Sequence, residues 1–133
     1  MAELKGYLTL IGDNFDLDFV SQTLKMKPDS IRKKDDLLPN GRQFGHVEWG
    51  IQTQTQTGDN VEPILQQLMD RTKGKTSVMR EIAEDCHAIW NVLILLRVYD
   101  ELPLIIFSPD TIKYLYEIQA KLGFDTYLLL GED

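Results

Sequence analysis

Arg32, Lys33, Lys34, Arg42, His46 and Glu48 are the side chains of this sequence whose types and spacing could act together. His46 and Glu48 stand two apart, so on a strand they share a face. A carboxylate beside an imidazole raises its pKa and orients it for acid–base work. The plainer reading is a solvated pair, since nothing near them in the chain supplies a nucleophile or an oxyanion donor. The basic groups Lys25, Lys27, Arg32, Lys33, Lys34 and Arg42 crowd one short stretch of an otherwise acidic chain. A turn at Pro39-Asn40-Gly41 would bring Arg42 back beside Arg32 to Lys34. Such a patch suits a phosphate or a partner's carboxylates. Against that, Asp29, Asp35 and Asp36 are interspersed, as in a solvated loop.

Other reactive groups point to less. Cys86 and His87 are neighbours, and neighbours on a strand face opposite ways, which is a poor start for a shared metal. Cys86 also ends an expected helix, where the dipole disfavours a thiolate. No serine sits in a nucleophile elbow, and Gly41, Gly45 and Gly50 lack the spacing of a phosphate loop. Asp13, Asp16 and Asp18 begin like a calcium loop, but Leu24 stands where the closing Glu belongs. We therefore expect no metal, no cofactor and no catalytic constellation. Trp49 and Trp90 read as core.

The elements that must position these groups follow from periodicity. A strand is expected over Gly6 to Ile11 and a helix over Asp16 to Lys25, with Asp16 as N-cap and Pro28 as its stop. Asp29 to Gln43 reads as irregular. His46 to Thr53 alternates strictly, with Val47, Trp49 and Ile51 on one face. The Gln/Thr ribbon from Gln52 to Thr57 reads as an edge that could pair with a second copy. Helices are expected over Val61 to Thr72 and Ser77 to Cys86. His87 to Tyr99 is an apolar, β-rich central strand, with Leu102 to Phe107 as its partner. A helix capped by Ser108 runs to Leu122 and stops at Gly123, and Phe124 to Leu130 closes the chain as a strand. This order predicts one α+β domain over residues 1–133. Its sheet is mixed or antiparallel, with helices packed mainly on one face, in a ferredoxin-like or split βαβ arrangement.

Composition sets the surroundings. The chain has 133 residues, 43% of them apolar and 26% charged, and a net charge of −7. Excess negative charge argues against nucleic acid and against an anionic membrane surface. A single cysteine permits no internal disulfide, and no apolar run approaches a membrane span. These features predict a cytoplasmic protein.

Several stretches together carry a resemblance: Leu24-Lys25-Met26-Lys27-Pro28, Arg32-Lys33-Lys34-Asp35, Gly45-His46-Val47-Glu48-Trp49-Gly50, Ser108-Pro109-Asp110, Gly123 and Asp125-Thr126-Tyr127. Over nearly the whole length the chain resembles a bacterial family of domains of unknown function, number 4279 in that series. The resemblance implies a small intracellular bacterial domain without assigned activity, some of whose relatives look like immunity proteins that neutralise toxins. The leading expectation is a non-catalytic binding or inhibitory module, meeting a toxin or other basic protein through Asp and Glu side chains. The alternatives are a domain binding a small molecule or nucleotide derivative through the basic loop 25–42, and an enzyme without a recognisable motif that uses His46 and Glu48.

Overall fold

Alternation along the first strand sets the architecture. The computed structural model describes residues 2–37, 39–42 and 45–129. In it β1 (Ala2–Gly12) buries Ala2, Leu4, Leu8 and Leu10 on one face. Glu3, Lys5, Tyr7, Thr9 and Ile11 take the other, as a period of two requires. β5 (Ala88–Val98) runs antiparallel to β1 from end to end, with Ala2 opposite Val98 and Gly12 opposite Ala88. On the far side of β1, β3 (Val47–Gln52) pairs with residues 7–12 and β4 (Gln56–Gly58) with residues 2–4. β2 (Ser30–Arg32) adds antiparallel to β3, and β6 (Lys121–Leu128) adds parallel to β5. The strand order is β2-β3-β1-β5-β6, with β4 beside β1.

Four helices cover one face of this sheet: α1 (Leu17–Leu24), α2 (Glu62–Arg71), α3 (Thr76–Cys86) and α4 (Pro109–Glu117). Asp16 caps α1 by accepting from the Asp18 and Phe19 amides, and Ser108 caps α4 by accepting from Thr111. Asn60 accepts from the Glu62 amide at the start of α2. The two tryptophans tie helices to strands. The Trp49 indole donates to Ser21 Oγ of α1 at 2.9 Å, and the Trp90 indole donates to the Met79 carbonyl of α3 at 2.7 Å. The two rings meet edge to face, 6.1 Å apart at 86°. The Tyr114 hydroxyl of α4 meets Thr72 Oγ1, just past α2, at 2.6 Å.

The expected class, α+β with helices on one face of a mixed sheet, is the class observed. Details differ. A split βαβ places a strand between its two parallel strands, whereas β5 and β6 are neighbours joined through α4. Leu102 to Phe107 forms no strand beside β5, because β1 and β6 already occupy both of its edges. Leu104 makes a single bridge to Asn60 instead. The last helix ends near Ile118, well short of Leu122. Gln119 turns left-handed (φ 53°) there, and the Ala120 amide closes onto the Leu115 carbonyl. Leu122 and Gly123 thus belong to β6, where a ladder along β5 outweighs one further helical turn. The irregular stretch contains β2, and the Gln/Thr ribbon breaks at Thr53–Thr55 before resuming as β4. Gln43 and Leu130, the ends of two expected segments, lie outside the described residues.

Gly6 is where α2 comes closest to β1. A Cβ there would stand 2.6 Å from Ile64 Cγ2 and 3.2 Å from Leu68 Cδ1. Gly6→Ala is expected to cost about 1–3 kcal/mol by overpacking. A lower urea midpoint with an unchanged slope checks it.

Candidate functional site

With the helices on one side, the other face of the sheet carries no element of its own among the described residues. Cross-strand register lays its side chains in rows. One row runs Arg32, Glu48, Ile11, Ile89. The next runs Ser30, Gly50, Thr9, Asn91, Lys121. The third runs Gln52, Tyr7, Leu93, Gly123. Small and polar groups thus cross the middle of the face, with Ile11 and Ile89 on one side and Tyr7 and Leu93 on the other. Gly50 belongs in that row because a Cβ would stand 2.7 Å from Thr9 Cγ2.

These rows line an open cavity of about 540 Å³. Tyr7, Ile11 and Leu93 supply its apolar wall, and Thr9, Ser30 and Asn91 its polar floor. Arg32 and Glu48 stand at one side and Lys121 at the other. A second hollow of about 500 Å³ shares Tyr7 and Leu93 and extends the groove toward Arg97, Asp125 and Tyr127. Volumes of this size fit a small organic ligand.

Charge within the groove is ordered. Arg32 Nε lies 3.6 Å from Glu48 Oε2. Partial burial nevertheless pushes the Glu48 carboxyl above its ordinary value, and Arg32 only partly offsets this. Lys121 makes no ion pair with a described residue at the opposite rim. The Lys5 ammonium lies 5.3 Å from the centre of the Tyr7 ring. On the whole face Lys5, Arg32, Arg97 and Lys121 outnumber Glu3, Glu48 and Asp125. The helices carry the opposite excess, through Asp18, Glu62, Asp70, Glu81, Glu84, Asp85, Asp110 and Glu117.

Of the side chains singled out from the sequence, Arg32 and Glu48 come together on the cavity. The others go elsewhere. Lys33 and Lys34 lie exposed in a turn after β2, held by the Lys33 amide donating to Asp36. Arg42 is exposed beyond Asn40, whose side chain accepts from the Arg42 amide. His46 precedes β3 and does not line the cavity with Glu48. Its Nδ1 lies 3.4 Å from Asp13 Oδ1 at the sheet's end. The cavity lining holds no imidazole and no thiol. Burial, then Asp85 and Asp16, push the Cys86 thiol up, so it stays protonated. Among the described residues no three His, Cys, Asp or Glu side chains are grouped to hold a metal ion.

Tyr7, Thr9, Asn91 and Lys121 were not singled out. The sequence signal for the first two was the alternation of β1, hidden because both of its faces carry apolar groups. Lys121 was hidden inside the overextended helix.

A family model described as a domain of unknown function, DUF4279, matches residues 2–129. The chain belongs to that family. Neither the search of curated proteins nor that of solved structures returned a match.

Because burial raises the folded Glu48 carboxyl above its ordinary value, ionising it weakens the fold. That stability is fully present below the unfolded pKa and is lost as pH rises through the folded one. Glu48→Gln removes the titration. Unfolding free energies measured from acid to neutral pH should therefore show the variant gaining on the parent as pH rises.

Proposed function

We propose that this chain is a non-catalytic binding protein that holds a small amphipathic organic anion on the open face of its sheet. The observation that carries this reading is the 540 Å³ cavity, walled by Tyr7, Ile11 and Leu93 and flanked by Arg32 and Lys121. An apolar body would rest against the wall, where burying each square ångström is worth roughly 25 cal/mol. An anionic head would take a charge-assisted hydrogen bond from Arg32 or Lys121. This reading gives the lining side chains a holding role. It is the alternative drawn from the sequence, moved from the basic loop onto the sheet, with Arg32 retained.

The test uses 8-anilino-1-naphthalenesulfonate, an aromatic sulfonate, titrated against the folded protein by fluorescence. Saturable binding is expected. Arg32→Ala should weaken it roughly tenfold, the size of one hydrogen bond to a charge. Tyr7→Ala should weaken it further. Near-UV circular dichroism keeps unfolded variants out of the comparison. Binding that ignores both substitutions would overturn the reading.

A second reading rests on the acidity of the helical layer. It suits a basic protein partner, as an inhibitory or immunity-type module requires. Here retention of a protein partner from host lysate should fall with salt and with Glu81→Lys combined with Asp85→Lys. Retention lost through Arg32→Ala and Tyr7→Ala instead would move the contact to the sheet.

A further inference from the structure

β6 ends the sheet. It is eight residues long and pairs with β5 on one side only among the described residues. Natural edge strands are kept from pairing by shortness, proline, bulges or charge. β6 has no proline, and its ladder to β5 runs unbroken from Lys121 to Leu128. Its side chains also stay accessible, with Phe124, Tyr127 and Leu128 all exposed. β2 and β4, on the other side of the sheet, are each only three residues long.

The sequence of β6 is complementary to itself in one antiparallel register. Directly opposed residues share a face, so opposed positions must have the same parity. Setting Gly123 opposite Gly123 of a second copy puts Lys121 opposite Asp125 and Leu122 opposite Phe124. Unlike charges then meet on the open face and apolar groups on the helix face. Sliding to an Asp125 axis sets two like charges against each other. Sliding to a Phe124 axis sets Leu122 against Thr126 and Lys121 against Tyr127. Only the Gly123 axis sets the strand's two unlike charges, Lys121 and Asp125, opposite each other. Lys121 has no ion pair among the described residues to give up.

We propose that two copies pair through β6 about a two-fold axis at Gly123, making one continuous sheet. The partner is a second copy because the charge pattern of this strand answers its own. Such a pairing also reaches the cavity. Lys121 and Gly123 line it, so Asp125 of the second copy would stand at its rim beside Lys121. The two glycines put no side chain between the cavities, which would meet as one groove across the axis. This inference stands apart from the nature of any ligand.

Sedimentation equilibrium of the full chain tests it. A mass of two chains is expected at low salt, weakening as salt rises. Lys121→Asp and Asp125→Lys should each weaken association roughly tenfold or more, since each sets like charges opposite. The double variant restores the pairs with their signs exchanged and should regain parent affinity. Both positions are on the edge strand, and far-UV circular dichroism checks that each variant is folded. A monomer at every concentration would overturn the pairing. A dimer indifferent to the single reversals, or not rescued by the double, would overturn this register.

Discussion

The antiparallel ladder between β1 and β5 holds the rest of the molecule in place. It pairs every residue from Ala2 to Gly12 with one from Ala88 to Val98. Both strands alternate along their full length, and the ladder locks the two alternations together. A slip of one residue would turn one strand over, taking Leu8 and Leu10 out of the helix layer and Lys5 into it, or Trp90 and Ile94 out and Arg97 in. The register is therefore set by the burial of one face. The opposite face inherits its order from the same constraint: Thr9 stands beside Asn91, and Tyr7 beside Leu93, because Leu8 and Val92 must be buried together.

The two tryptophans extend that constraint outward. Trp49 on β3 and Trp90 on β5 flank β1 and touch through their ring edges. A buried indole N–H needs an acceptor. One finds Ser21 of α1 and the other the Met79 carbonyl of α3. Polar satisfaction thus joins the packing of Val20, Leu24, Met79 and Ile82 in fixing where these two helices sit. The helices in turn leave the other face uncovered, and the separation of charge follows. The acidic residues lie mainly on the helical layer, while the uncovered face holds a slight excess of cations. An acidic chain can in this way present a face suited to an anion, which its net charge conceals.

Much of the fold was legible. The period of two in Val47 to Gln52 gave β3 its buried face, and the caps at Asp16 and Ser108 marked where α1 and α4 begin. These signals are local, since alternation, capping and chain punctuation act within a few residues. The errors fell where a longer-range interaction decided. Leu102 to Phe107 has the composition of a strand but met a β5 with no edge left. Lys121 to Gly123 read as the end of a helix until the parallel ladder with β5 claimed it.

The site divides in the same way. Residue types alone marked Arg32, as one of a basic cluster, and Glu48, as the strand neighbour of His46. They equally marked Lys33, Lys34, Arg42 and His46, which the turn after β2 and the approach to β3 carry away from the cavity. Tyr7, Thr9, Asn91 and Lys121 come from three separate strands and meet only through register. The sequence by itself determined which residues of Val47 to Gln52 face in and which face out, since a repeat within one strand shows there, whereas β1 and β5 carry apolar groups on both faces. Only the tertiary structure decided which outward residues are neighbours, since that depends on hydrogen-bond ladders between segments far apart in the chain.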